Sequence, residues 1–140
     1  SNLSLVVSTP GSSDQGWHAD GGHVDLHAHR PCHCLNVFVP LVDVLDDALG
    51  PTELRPGTHV HTRNLAPMML AAKARRTLRA PAMPRLRAGD ALVFDYRLLH
   101  RGRANRTQAT NRPILVLTFA KSWFKDVLNF PKRSMRDASC

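Results

Sequence analysis

Gln15-Gly16-Trp17-His18-Ala19-Asp20 is the stretch whose reading decides the fold. His18 and Asp20 stand two residues apart. On a β-strand, residues i and i+2 point to the same side, so both can face one ion while Ala19 turns away. A third donor, His100, lies far downstream, where another strand would bring it to the pair. Two imidazoles and one carboxylate, with the rest of the coordination sphere open, form the ligand set of a non-haem iron(II) site. The stretch therefore calls for a β-fold in which distant strands converge on one centre. A His-x-Asp pair alone also occurs on solvated loops, so the elements that follow must carry the argument.

Soon after His100, Arg112 opens the apolar run Arg112-Pro113-Ile114-Leu115-Val116-Leu117-Thr118-Phe119. An arginine so placed can grip a carboxylate through two parallel hydrogen bonds. Strand-like runs recur at 3–8, around 17–20, at 35–44, 53–55, 85–87, 91–94, 98–101 and 113–120, with Gly57, Gly89 and Gly102 as turns or bulges. Many short β-runs between turn residues predict a mainly β barrel or jelly roll. The exception is 65–76, whose Ala, Leu, Met and Lys content, with Pro67 in the first turn, predicts a short helix decorating the barrel. Asn36, Phe38 and Thr118 sit on strands that can face a pocket, but strand periodicity makes them core first. Trp17 and Tyr96 read as packing, and His59 and His61 as hydrogen-bonding or exposed groups.

Three stretches together carry a family likeness: Gln15 to Asp20; Gly50-Pro51-Thr52-Glu53-Leu54-Arg55-Pro56-Gly57-Thr58-His59; and Gly89-Asp90-Ala91-Leu92-Val93-Phe94-Asp95 through His100-Arg101-Gly102 and Asn105-Arg106-Thr107 to Arg112-Pro113. With these the chain resembles the phytanoyl-CoA dioxygenase family of Fe(II)/2-oxoglutarate-dependent oxygenases. The resemblance implies a double-stranded β-helix, a cupin-like jelly roll, with His18, Asp20 and His100 as iron ligands. It implies that Arg112 holds the distal carboxylate of 2-oxoglutarate, with Gln15 and Thr52 as further co-substrate contacts. The implied reaction uses Fe(II), 2-oxoglutarate and dioxygen to oxidise, most readily to hydroxylate, a C–H bond of a small organic or acyl substrate, releasing succinate and carbon dioxide. One departure is the twelve-residue interval from His100 to Arg112, longer than in many relatives. Arg106 in that loop is thus an alternative carboxylate partner, although an arginine aimed inward from a strand is easier to hold rigid.

With 140 residues, 43% of them hydrophobic, the chain can bury one core. A single domain over 1–130 and a tail at 131–140 are expected. The chain opens straight into a strand-like run and so reads as a core without the helical N-terminal portion usual in the family. No stretch approaches the roughly 18 apolar residues of a membrane helix, and no signal segment stands out, so an intracellular setting is the expectation unless a targeting peptide is missing. Cys32, Cys34 and Cys140 are too few for a disulfide framework. Cys32-His33-Cys34, with His27 and His29 upstream, invites a zinc reading, but its spacing departs from the usual paired-ligand patterns. The net charge of +8 admits anionic partners, including an anionic substrate or nucleic acid, yet aromatic residues at 6% give few stacking platforms. A solvated basic face is the simpler account. Three rivals remain open: a catalytically silent binding or scaffold barrel, a nucleic-acid-modifying oxygenase, and a cupin-like metal enzyme that uses no 2-oxoglutarate.

Overall fold

The computed structural model describes residues 1–62, 79–126 and 129. The helix expected at 65–76 and the tail at 131–140 lie outside the described residues. Among the described residues six strands form in chain order: β1 Asn2–Ser8, β2 Cys34–Pro40, β3 Thr52–Leu54, β4 Leu92–Asp95, β5 His100–Gly102 and β6 Arg112–Ala120. A four-stranded antiparallel sheet runs in the order β1-β6-β2-β4, and a two-stranded sheet pairs β3 with β5. The fold is mainly β, as the spacing of short runs predicted. Among the described residues no ladder joins the two sheets, so strand pairing does not close them into a continuous barrel.

β6 is the spine of the larger sheet, flanked by β1 and β2 with Leu3 opposite Leu117 and Asn36 opposite Thr118. Strand alternation then sorts the residues by face. Arg112, Ile114, Val116 and Thr118 share one face with Asn36 and Phe38 of β2, Phe94 of β4, and Ser4 and Val6 of β1. On that face Leu54, Phe94 and Leu98 form a small buried core against Phe38 and Leu92. The opposite face carries Leu3, Leu5, Val7, Leu35, Val93 and Phe119, all exposed.

Two expected strands shrink to single bridges. The 17–20 stretch pairs only at His18 with His100, and the 85–87 stretch only at Leu86 with Val44. The run expected over 35–44 ends at Pro40, whose ring supplies no backbone N–H to continue a ladder. Gly57 takes φ 88°, a conformation costly for a residue with a Cβ, and turns the chain into a one-turn 3-10 segment at Thr58–Val60.

Candidate metal centre

The three expected ligands come together. His18, Asp20 and His100 offer one donor atom each within 4.8 Å of one another, the one such group of His, Cys, Asp or Glu side chains among the described residues. His18 Nε2 lies 3.7 Å from Asp20 Oδ1, and His100 Nε2 lies 3.6 Å from Asp20 Oδ2. Backbone pairing sets this up, because His18 and His100 face each other in an antiparallel bridge and Asp20 follows two residues on. His100 is buried, Asp20 and His18 partly so.

Each imidazole is held through Nδ1, which leaves Nε2 to face the Asp20 carboxylate. His18 Nδ1 donates to Gly16 O at 2.8 Å, and His100 Nδ1 donates to Leu98 O at 2.9 Å. A carbonyl can only accept, so Nδ1 carries a proton in both rings, and Nε2 is the ring atom that faces Asp20. Burial pushes the His100 imidazole below its ordinary value, against the opposing pull of the Asp20 charge, which favours the neutral form. Asn36 Nδ2 donates to Asp20 Oδ2, and Thr118 donates to Asn36 Oδ1 at 3.2 Å, so the carboxylate is oriented in turn. With metal–ligand bonds of about 2 Å, the donor set suits a divalent first-row metal after a small inward movement.

The triad opens into a cavity of about 220 Å³ whose lining also includes Gln15, Phe38, Tyr96, Gly102, Arg112, Ile114, Val116 and Thr118. Arg112 is 5% exposed, and its one hydrogen bond goes from Nη1 to Gly50 O. Its buried Nε has no partner, and no carboxylate among the described residues pairs with it. Burial accordingly lowers its affinity for its proton. A buried charge is costly until it is paired. Gln15 Oε1 accepts from Gly102 N at 2.8 Å, which leaves its Nε2 as the free end of the amide. A Cβ on Gly102 would stand 2.9 Å from Gln15 Oε1 and 3.2 Å from Arg112 Nη2, so the bare glycine lets these groups converge.

Thr52 is buried opposite Gly102 in the β3–β5 ladder and is not among the residues lining the cavity. Arg106 is exposed and lines a separate hollow with Asp47 and Pro51, away from the triad. Cys32 and Cys34 are free thiols. Burial drives Cys34 up to about 12, and neither joins a metal-capable group. Sequence reading understated three residues. Asn36 holds the Asp20 carboxylate, Tyr96 lines the cavity, and Asn129 Nδ2 reaches Asp20 O at 2.6 Å from the far end of the described chain. Trp17 does pack, beneath the guanidinium groups of Arg55 and Arg101 at 4.8 and 4.6 Å. Arg101 and Arg103 pair with Glu53 and Asp14, so this part of the basic run is internally neutralised.

The phytanoyl-CoA dioxygenase family model matches residues 2–114, and the chain belongs to that family. Among solved structures, AviO1 from Streptomyces viridochromogenes is 23% identical, with a TM-score of 0.70 over 89% of this chain and 51% of its own. HygX from Streptomyces hygroscopicus, solved with nickel and 2-oxoglutarate bound, is 17% identical, with a TM-score of 0.59 over 87% of this chain and 57% of its own. EctD from S. alaskensis, solved with bound Fe, is 21% identical, with a TM-score of 0.62 over 84% and 43%. These likenesses establish a common fold, and the chain spans about half the length of the solved structures it matches. No helix among the described residues is long and apolar enough to cross a membrane.

Proposed function

We propose that this chain carries the core of an Fe(II)- and 2-oxoglutarate-dependent oxygenase that hydroxylates a C–H bond of a small molecule. The observation that carries the reading is the pairing of two features in one cavity: a His-Asp-His set in which both Nε2 atoms face the Asp20 carboxylate, and a buried arginine with no carboxylate partner among the described residues. A bare scaffold would have no need of two imidazoles and a carboxylate converging on one point, and a metal enzyme indifferent to 2-oxoglutarate would leave Arg112 a buried charge without use. HygX with nickel and 2-oxoglutarate bound, and EctD with Fe, lend support by kinship of fold.

In this reading His18 and His100 present Nε2, and Asp20 adds one negative charge that offsets the metal's. When bound, iron(II) together with 2-oxoglutarate and dioxygen supplies the oxidising chemistry, with succinate and carbon dioxide as co-products. Arg112 pairs with the distal carboxylate of the co-substrate, and the Gln15 amide donates beside it. Thr52 acts from behind, fixing Gly102 through the β3–β5 ladder. Phe38, Ile114 and Val116 keep the wall dry, which strengthens the Arg112 ion pair.

The test is uncoupled turnover of the co-substrate. Protein loaded with Fe(II) in air should convert 2-oxoglutarate to succinate, slowly without substrate, and the His18→Ala and His100→Ala variants should not. Parent protein that binds iron yet makes no succinate above the level of free iron would overturn the reading.

A further inference from the structure

We infer, resting on the oxygenase reading above, that Glu53 is a positioning residue for both halves of the site: from behind the cavity it sets the His18–His100 pair and the Gln15–Gly102 contact. β5 has two sides. His100 and Gly102 line the cavity, and Arg101 between them does not. In the β3–β5 ladder Leu54 stands opposite His100, Glu53 opposite Arg101 and Thr52 opposite Gly102. The segment 14–18 runs along the other edge of β5 and divides in the same way, with Gln15 and His18 in the lining and Asp14 and Trp17 outside it. Its backbone meets β5 at the His18–His100 bridge and again where Gln15 N donates to Gly102 O at 2.9 Å. Contacts so sparse leave the tilt of the segment to the side chains behind it.

Glu53 gathers those side chains. It is 5% exposed, and its Oε2 accepts from Arg101 Nε at 2.8 Å and from Arg103 Nη1 at 3.1 Å. Arg101 lays its guanidinium over the ring of Trp17, the neighbour of His18, 4.6 Å from the centroid. Arg103 Nε donates at 3.1 Å to Asp14, the neighbour of Gln15, and the same Asp14 oxygen accepts from Ala104 N at 2.7 Å. One buried carboxylate thus ties β3 to both ends of the segment 14–18, through Arg101 to the metal end and through Arg103 to the co-substrate end. Two guanidinium groups crowd one oxygen only while its negative charge lies between them, and a buried ion cluster that loses one member leaves the remaining charges poorly paired. With a neutral group at 53, Asp14 is left to hold both arginines, from 3.6 Å in the case of Arg101 Nη1. Arg101 is then drawn toward the Gly102 end and off Trp17. Ligand sets and carboxylate clamps tolerate displacements of only about 0.5 Å, so a shift of this kind reaches both functions at once.

The experiment uses the 140-residue chain with Co(II) in place of iron and compares the parent with Glu53→Gln, Arg101→Lys and Asp95→Asn. Co(II) affinity is read from the visible absorption of the metal, and 2-oxoglutarate affinity by calorimetry on protein saturated with Co(II). Asp95→Asn breaks the ion pair with Arg97, which takes no part in this network, and so controls for lost stability alone. Glu53→Gln should weaken Co(II) binding and 2-oxoglutarate binding each by roughly fivefold or more, while Asp95→Asn keeps both within about twofold of the parent. Arg101→Lys keeps the charge but loses the planar fork, and should show the same paired loss. It carries the test if Glu53→Gln does not fold. The inference is overturned if either affinity falls by less than that in a folded Glu53→Gln or Arg101→Lys protein, or if Asp95→Asn loses as much. A parent that binds Co(II) but not 2-oxoglutarate overturns instead the oxygenase reading, and the Co(II) affinity of Glu53→Gln then still decides the claim about His18 and His100.

Discussion

His18 and His100 form a reciprocal antiparallel bridge. His18 N donates to His100 O at 3.0 Å, His100 N donates to His18 O at 2.8 Å, and the two rings stand 4.4 Å apart. Residues paired this way present their side chains directly opposite each other on one face. The backbone therefore brings two of the three candidate ligands together, and the i+2 step to Asp20 supplies the third.

Asn36 should prove a control on metal affinity. Its amide holds Asp20 and is itself held by Thr118. Replacing it by Leu, which cannot donate, should weaken Fe(II) or Co(II) binding by roughly 10–100-fold, the usual cost of losing such an outer partner. Circular dichroism should stay at the parental spectrum. Parental metal affinity in Asn36→Leu would mean that Asp20 needs no such support.

Arg112→Met should separate stability from function. Removing a buried guanidinium that lacks an anion should raise the melting temperature of the protein without co-substrate, by an amount equivalent to ~1 kcal/mol or more. In the parent, 2-oxoglutarate at 100 times its Kd should add about 2.7 kcal/mol of stability, and in the variant it should add almost none. Equal stabilisation of both proteins by 2-oxoglutarate, followed by scanning calorimetry, would show that Arg112 is not its partner.

Asp95 should govern acid stability. Burial alone would raise its pKa, but the side-chain and backbone hydrogen bonds from Arg97 outweigh that and hold it at about 2, below the ordinary 3.8. A carboxyl depressed in the folded state adds stability that is fully present above pH 3.8 and lost as pH falls toward 2. The gap corresponds to roughly 2 kcal/mol. Urea unfolding of Asp95→Asn should show that loss at pH 7 and a flatter dependence below pH 4, whereas parallel pH curves for parent and variant would argue against it.

Gly102→Ala should damage the co-substrate end alone. The new methyl would crowd Gln15 Oε1 and Arg112 Nη2. We expect roughly a tenfold or greater rise in the 2-oxoglutarate concentration needed for half-saturation, since small misplacements of a carboxylate clamp are expensive. Metal affinity should remain parental. A matching fall in metal affinity would indicate that the bridge at His100 has moved instead.

The clustering of His18, Asp20 and His100 was legible because it rests on an i+2 spacing for His18 and Asp20 and on motif context for His100. β1 and β6 were legible because their apolar runs are long. The 17–20 and 85–87 stretches looked like strands because their residues favour extended backbone, yet each finds only one bridge partner. Asn36 was read as core because periodicity tells which side a residue faces and not what it meets there. The tie of Asn129 to Asp20, and that of Tyr96 to Asp126 and Asn129, are long-range contacts with no local signature. Part of the positive charge that the composition suggested is neutralised by pairing across distant segments, Arg101 and Arg103 with Glu53 and Asp14.

The visible spectrum of the anaerobic protein with Fe(II), before and after 2-oxoglutarate, tests the central claim most directly. A charge-transfer band should appear in the parent on adding 2-oxoglutarate. It should be absent in His18→Ala and need far more 2-oxoglutarate in Arg112→Ala. Iron binding without such a band at any 2-oxoglutarate concentration would contradict the account.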